Sequence, residues 1–299
     1  MKRLLLRQWD LQLMVIPALI FIFIFSYVPM YGIVIAFKDY DIFQGLNASP
    51  WVGLDNFKEF LHAEEFRTVM RNTLAISFLK LVIGFPAPIL LALMLNEVRI
   101  PIFKRLVQTI SYLPHFLSWV IVSGFVLTML SSDYGSLNIA LEKLRLIDEP
   151  VNWLTIPNYF WGILIATGLW KGIGFGSIVY LAAISGVNPD LYEAADIDGA
   201  GRLRKIFSIT LPCILPVVSI FLILAIGDLL SAGFEDILLL QNDIVRDVSD
   251  VLDTYVYRIG IKNSLFSYAA AVGLFKAIIS VILLTFANAL ARRSGNSLW

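Results

Sequence analysis

Six stretches of this chain are each long and apolar enough to cross a lipid bilayer, at about 12–37, 73–95, 108–130, 159–186, 212–234 and 268–291. A spanning helix needs roughly 20 apolar residues at a rise of about 1.5 Å each. Hydrocarbon offers no hydrogen bonds, so every backbone N–H and C=O must be satisfied within such a segment, which makes it a helix. The expected fold is therefore an all-α integral membrane protein, one transmembrane domain over residues 1–299 with six spans. Composition agrees: apolar residues make up 58% of the chain, charged residues 15%, and the mean hydropathy is +0.78. Soluble domains carry about 25% charged residues.

Several function classes drop out. The net charge is zero, so no basic surface points to nucleic acid. The single cysteine, Cys213, excludes an intramolecular disulfide and a thiolate metal cluster. His62 and His115 have no ligand spacing, and neither HExxH nor GxxxxGKS/T occurs. The chain is thus expected to hold no catalytic residue, metal or cofactor and not to hydrolyse ATP itself. Lys2, Arg3 and Arg7 precede the first apolar run as they would in a signal peptide. That run, Leu11 to Phe37, exceeds the roughly 7–15 residues of a signal core and has no AxA-type cleavage site, which favours a retained helix.

Orientation follows from the loop cations. With the N-terminus inside, the cytoplasmic segments hold Lys2, Arg3, Arg7, Arg99, Lys104, Arg105, Arg202, Arg204, Lys205, Arg292 and Arg293. The longer outer segments hold fewer cations and most of the acidic residues, so both termini are expected in the cytoplasm. The outer loops, 38–72, 131–158 and 235–267, carry Trp51, Phe57, Phe60, Trp153, Tyr255 and Tyr257. They read as short helices on the membrane face that either meet an external partner or anchor the spans.

The inner loop at 188–211 differs in kind. Asn188 is a good N-cap and Pro189 suits the first helical position. Asp190 and Glu193 lie in the first turn, where the helix dipole favours them. Gly199 and Gly201 stop the helix, and a second short helix is expected from about Arg202 to Thr210, ending before Pro212. Small side chains at Ala194 and Ala195 beside the Glu193 carboxylate would let another protein approach closely, as in a docking knob. An ordinary amphipathic connector is the other reading.

The same segment resembles the EAA signature of ABC importer permeases, EAA-x3-G-x9-I-x-L-P. Glu193-Ala194-Ala195, Gly199, Ile209, Leu211 and Pro212 all fall in register. The resemblance extends to the carbohydrate-uptake branch, and to its complex-sugar and polysaccharide-fragment permeases, through Ser26-Tyr27-Val28-Pro29-Met30-Tyr31-Gly32 and Gly53-Leu54-Asp55-Asn56-Phe57. Leu113-Pro114, Asp253-Thr254-Tyr255-Val256-Tyr257-Arg258 and Asn288-Ala289-Leu290-Ala291-Arg292-Arg293 extend it. It implies a type I ABC importer permease fold in a bacterial inner membrane, with a cytoplasmic coupling helix. Two ATP-binding cassette subunits would hold the ATP and Mg, and one of them would grip Glu193, Ala194, Ala195, Asp198 and Gly199. A second homologous permease and an extracytoplasmic solute-binding protein would complete the assembly, with an oligosaccharide as cargo.

Ionisable residues inside spans mark functional sites by default, and here they are Lys80, Lys171, Asp228 and Lys276. The resemblance to maltose-type permeases implies cargo contacts at His115 and Trp119, at Lys171 and Gly172, and at Asp228 and Ser231. The charges at Lys171 and Asp228 depart from the maltose pattern and point to an acidic oligosaccharide, with Lys171 meeting a uronate carboxylate. A Lys171–Asp228 ion pair that never touches cargo is the alternative. Lys80 and Lys276 read as snorkelling or structurally paired, and Gly172, Gly174 and Gly176 as permitting close helix packing. An ion-gradient-driven secondary transporter is the competing function; it predicts inverted repeats and broken midplane helices, and it leaves the inner loop unexplained.

Overall fold

The computed structural model describes residues 9–292, 295, 297 and 298. Lys2, Arg3, Arg7 and Arg293 of the orientation argument lie outside them. The regular elements among the described residues are helices, with one isolated antiparallel bridge between Lys38 and Trp51. In chain order the elements used below are α1 (Leu13–Phe37), α2 (Asp55–His62), α3 (Glu65–Glu97), α4 (Pro101–Phe116), α5 (Trp119–Met129), α6 (Pro157–Ser185), α7 (Pro189–Ile197), α8 (Arg202–Gly227), α9 (Glu235–Leu240) and α10 (Phe266–Arg292). Among them α1, α3, α6, α8 and α10 are each long and apolar enough to span, and α4 with α5, bent by 102° to each other, passes the same test only as a pair, making a sixth candidate.

Three spans contain one turn widened to i→i+5 hydrogen bonding. These turns are Phe23–Tyr27 in α1, Lys80–Gly84 in α3 and Ile206–Thr210 in α8. Each ends two residues before a proline: Pro29, Pro86 and Pro212. A proline within a helix lacks an N–H and its ring presses on the carbonyl four residues earlier. Those carbonyls belong to Phe25, Val82 and Ser208, the middle residue of each widened turn. The wider turn turns the pressed carbonyl away without ending the helix.

Two expectations are corrected here. The second arm of the inner loop does not stop before Pro212; the widened turn carries it straight into α8, which begins at Arg202. The fifth span ends at Gly227 rather than at 234, because Asp228 leaves helical geometry and residues 228–234 form turns and extended chain.

The chain divides into two compact units, residues 1–63 with 256–275, and 64–255 with 276–299. In the first, Phe60 of α2 is 1% exposed and meets Tyr268 and Phe275 edge to face, at 6.2 and 5.5 Å between centroids. Such pairs add about 0.5–1.5 kcal/mol to the burial itself. The Asn56 amide donates to the carbonyls of Ala36 and Lys38, closing the end of α1.

In the second unit α6 packs against α3, α4, α8 and α9. Its early turns place Phe160 and Leu164 in a cluster with Ile76, Val126, Ile237 and Leu240. Its late turns place Tyr180 and Ile184 with Ile89, Leu93 and Ile214. Between these clusters Gly174 abuts the Ser111 carbonyl of α4, and Gly176 abuts Pro88 of α3. Both in-span lysines outside α6 are paired: Lys80 with Asp236 at 2.5 Å, and Lys276 with Asp253.

Candidate functional site

The inner loop is a helix, a glycine turn and a second helix. Asn188 caps α7 by accepting a hydrogen bond from the Asp190 amide at 3.0 Å, with Pro189 in the first turn. At the other end Gly199 takes φ +73°. Its amide donates to the Asp196 carbonyl at 3.1 Å, and the Ala200 amide donates to the Ala195 carbonyl at 2.8 Å. These paired bonds over a left-handed residue form the Schellman closure that glycine favours. Two contacts tie the arms together: Lys205 with Asp196 at 2.7 Å, and Tyr192 with Thr210 at 2.9 Å. Lys205 is thus engaged within the loop, whereas Arg202 and Arg204 are exposed.

No residue of α7 is buried. Glu193, Ala194, Asp198 and Gly199 are exposed, and Ile197 is 88% exposed. A cleft of about 460 Å³ lies between the arms, lined by Ala195, Asp198, Ala200, Arg204, Lys205, Ser208 and Ile209. The cap, the glycine closure and the two cross-braces hold the element's shape from within, while its outer face stays unburied.

A second cluster forms where α4 and α5 bend. Pro114 sits in a tight turn over Leu113–Phe116, and Ser118 caps α5 by accepting from the Ile121 amide. The break frees two carbonyls. Lys171 of α6 donates to both, at 2.8 Å to His115 and 2.7 Å to Leu117. Its ammonium also stands 5.4 Å from the centre of the Trp119 ring. One turn along α6, Phe175 stacks on the His115 imidazole at 3.9 Å. Beside them Gly172 faces open space. Four of the six expected cargo residues, His115, Trp119, Lys171 and Gly172, therefore come together.

Asp228 and Ser231 stand apart from this cluster in bonding. The Lys171–Asp228 ion pair is not formed, for two reasons. Lys171 is engaged by backbone carbonyls, and Asp228 lies past the end of α8 with an exposed carboxylate that has no side-chain partner among the described residues. The Ser231 amide donates to the Asp228 carbonyl at 2.8 Å, so the two share one turn. The sequence reading missed Asp236, placed in an outer loop, as the partner of Lys80. The only local signal was a buried-type run, Ile237 to Leu240, directly after it.

Spans bearing clamped charges, together with a rigid exposed loop, define a multi-pass membrane permease. The chain belongs to the family of binding-protein-dependent transport system inner membrane components, which residues 84–296 match. That membership sets aside the ion-gradient-driven alternative. The chain is similar to the polygalacturonan/rhamnogalacturonan transport system permease protein YteP of Bacillus subtilis (strain 168), with 48% identity over 98% of this chain and 92% of that one. It is also similar to Protein LplB of the same organism, with 43% identity over 96% of this chain and 89% of that one. Among solved structures it is similar to a chain of a bacterial ABC transporter involved in the import of the acidic polysaccharide alginate. There the identity is 43% over 97% of this chain and 98% of that one, with a TM-score of 0.90. A chain of a bacterial alginate ABC transporter in complex with an alginate pentasaccharide-bound periplasmic protein gives 42% identity over 99% and 98%, with a TM-score of 0.91.

Proposed function

We propose that this chain is the permease subunit of an ATP-driven, solute-binding-protein-dependent importer of acidic oligosaccharides, seated in a bacterial inner membrane with both termini in the cytoplasm. The observation that carries the reading is the unburied α7 with its Gly199 closure, in a chain of this family. Two ATP-binding cassette subunits hold ATP and Mg, and one of them receives Glu193, Ala194, Ala195, Asp198 and Gly199. A second, homologous permease completes the pathway, and an external binding protein delivers cargo. Closure of the ATPase pair drags the docked loop as a rigid body and switches the permease between two global states.

Acidic cargo is supported by the substrates in the relatives' names, polygalacturonan and rhamnogalacturonan for one and alginate for another. At the bend, Trp119 offers a flat face to a sugar ring, His115 a polar edge and Gly172 open room, while Lys171 supplies the positive charge. Asp228 and Ser231 accept ring hydroxyls.

Docking is tested by Glu193→Lys, which reverses a charge at the interface. It is expected to cost about 2 kcal/mol or more of docking, so copurified ATPase falls roughly 30-fold while insertion is unchanged. Undiminished ATPase association would defeat the docking role. For cargo, Lys171→Met is expected to weaken uptake of an oligouronate about tenfold more than that of a neutral oligosaccharide of equal length. Trp119→Ala should weaken both alike. Equal losses for the two sugars in Lys171→Met would remove the acidic assignment.

A further inference from the structure

Lys80 lies at the middle of α3, in its widened turn, and its ammonium is claimed by two groups from one distant segment. It donates to the Ala232 carbonyl at 2.6 Å and to the Asp236 carboxylate at 2.5 Å. Asp236 is 4% exposed, so its charge is withdrawn from water and depends on Lys80. Between the two acceptors lies Gly233 at φ +116°, where a Cβ would meet the Asp236 carboxylate and stand 2.8 Å from the Lys80 nitrogen. The neighbouring Leu230 and Ala232 are fully buried. This non-helical stretch is thus gripped by charge, by a backbone hydrogen bond and by packing. It continues directly from the Asp228–Ser231 turn, whose carboxylate and hydroxyl are exposed.

We infer that Lys80 and Asp236 are positioning residues of the cargo site. Their buried ion pair, tied to the Ala232 carbonyl, holds the Asp228–Ser231 turn in the one orientation in which its carboxylate and hydroxyl accept hydrogen bonds from a sugar ring. This rests on the cargo reading above. Irregular backbone at membrane depth persists only where protein groups satisfy it or it lines a cavity. One ammonium satisfies both the freed Ala232 carbonyl and the Asp236 charge. A carboxylate without a protein partner has both oxygens open to vicinal hydroxyls, which acidic and neutral sugars alike present. The turn therefore reads the hydroxyls, while the cation at the bend reads the acid.

The test uses the assembled transporter in proteoliposomes. Turn geometry is read in a Cys213→Ala background from the labelling rate of Ser231→Cys by a membrane-impermeant maleimide. Uptake is measured with Ser231 intact, using a galacturonate pentamer and a neutral pentasaccharide. Lys80→Met leaves Asp236 unpaired and could misfold, so Lys80→Met/Asp236→Asn, which buries no lone charge, is measured beside it. Both are expected to change the labelling rate and to raise KM for both sugars about tenfold, with the maximal rate within about twofold. Lys80→Arg, which keeps the donors, should restore both readings. Unchanged labelling in the neutral double variant overturns the inference. So does a loss of assembled protein with KM unchanged. A raised KM in Asp228→Asn with no KM change in the Lys80 variants removes the positioning role alone, and a silent Asp228→Asn sinks the cargo reading beneath it.

Discussion

Gly199→Val is expected to leave the chain inserted and folded while lowering ATP-driven uptake about 30-fold. The expectation rests on backbone conformation, since a Cβ at this position meets nothing within 4 Å. Gly199 holds φ +73°, and a β-branched residue adopts that region at a cost of about 2 kcal/mol. That cost corresponds to about a 30-fold smaller population of the native turn. Because α7 buries none of its residues, the strain is relieved by unwinding its last turn rather than by unfolding the protein. The paired bonds from Gly199 to Asp196 and from Ala200 to Ala195 go first, and Asp196 then loses its register with Lys205. The Glu193 face would still exist but would no longer be presented at a fixed angle. Gly201→Ala is the control. Gly201 also faces open space, but its φ is −69°, so alanine fits and uptake should stay near wild type. Gly199→Asn should fall between, since asparagine tolerates the left-handed region. Uptake in membrane vesicles and copurified ATPase would be measured on all three. A fully active Gly199→Val would show that the turn need not hold its shape.

The inner loop was legible because its determinants are local. A cap at Asn188, a proline at 189 and a left-handed glycine at 199 lie within one short helix of each other and state its start and stop without reference to the rest of the fold. The spans were legible for a similar reason, since hydrocarbon demands a long apolar run. The breaks within those runs were not. Residues 108–130 read as one span because the 102° bend at Leu117 and Ser118 falls inside a largely apolar run, with only Pro114, His115 and Ser118 as faint marks. Gly227 looked like a helix interior although it ends α8, and this moved Asp228 from a helix to a turn. Partner choice was the least legible feature. Lys171 finds carbonyls that exist only because another helix breaks, and Lys80 finds a carboxylate 156 residues away. Charges inside a membrane are so costly unpaired that each must find a partner. The sequence shows the need without showing which group meets it.

Gly174→Ala is expected to destabilise the permease by about 3 kcal/mol and to sharply reduce the amount recovered folded. A Cβ built on Gly174 overlaps the Ser111 carbonyl group of α4, and the obstacle is backbone rather than the end of a flexible side chain. Helices in a membrane gain little from excluding water and hold together through such close approaches. Relief therefore requires α4 to move away from α6. That displacement reaches the cluster at the bend proposed to hold cargo. Ser111 lies four residues before His115, whose carbonyl is held by Lys171, three residues before Gly174. Separating the helices stretches that bond and tilts the bend that presents Trp119. Gly172→Ala, two residues earlier, should behave in the opposite way. Its Cβ meets open space, and replacing a helical glycine by alanine favours the helix by up to about 1 kcal/mol. The protein should therefore be at least as stable, while a bound sugar resting against Gly172 would lose room and KM would rise. Thermal stability of the detergent-purified complex separates the two, and uptake kinetics then test the second. Wild-type stability in Gly174→Ala would mean that α4 and α6 do not touch where the fold requires it, and the clamp at the bend would lose its foundation.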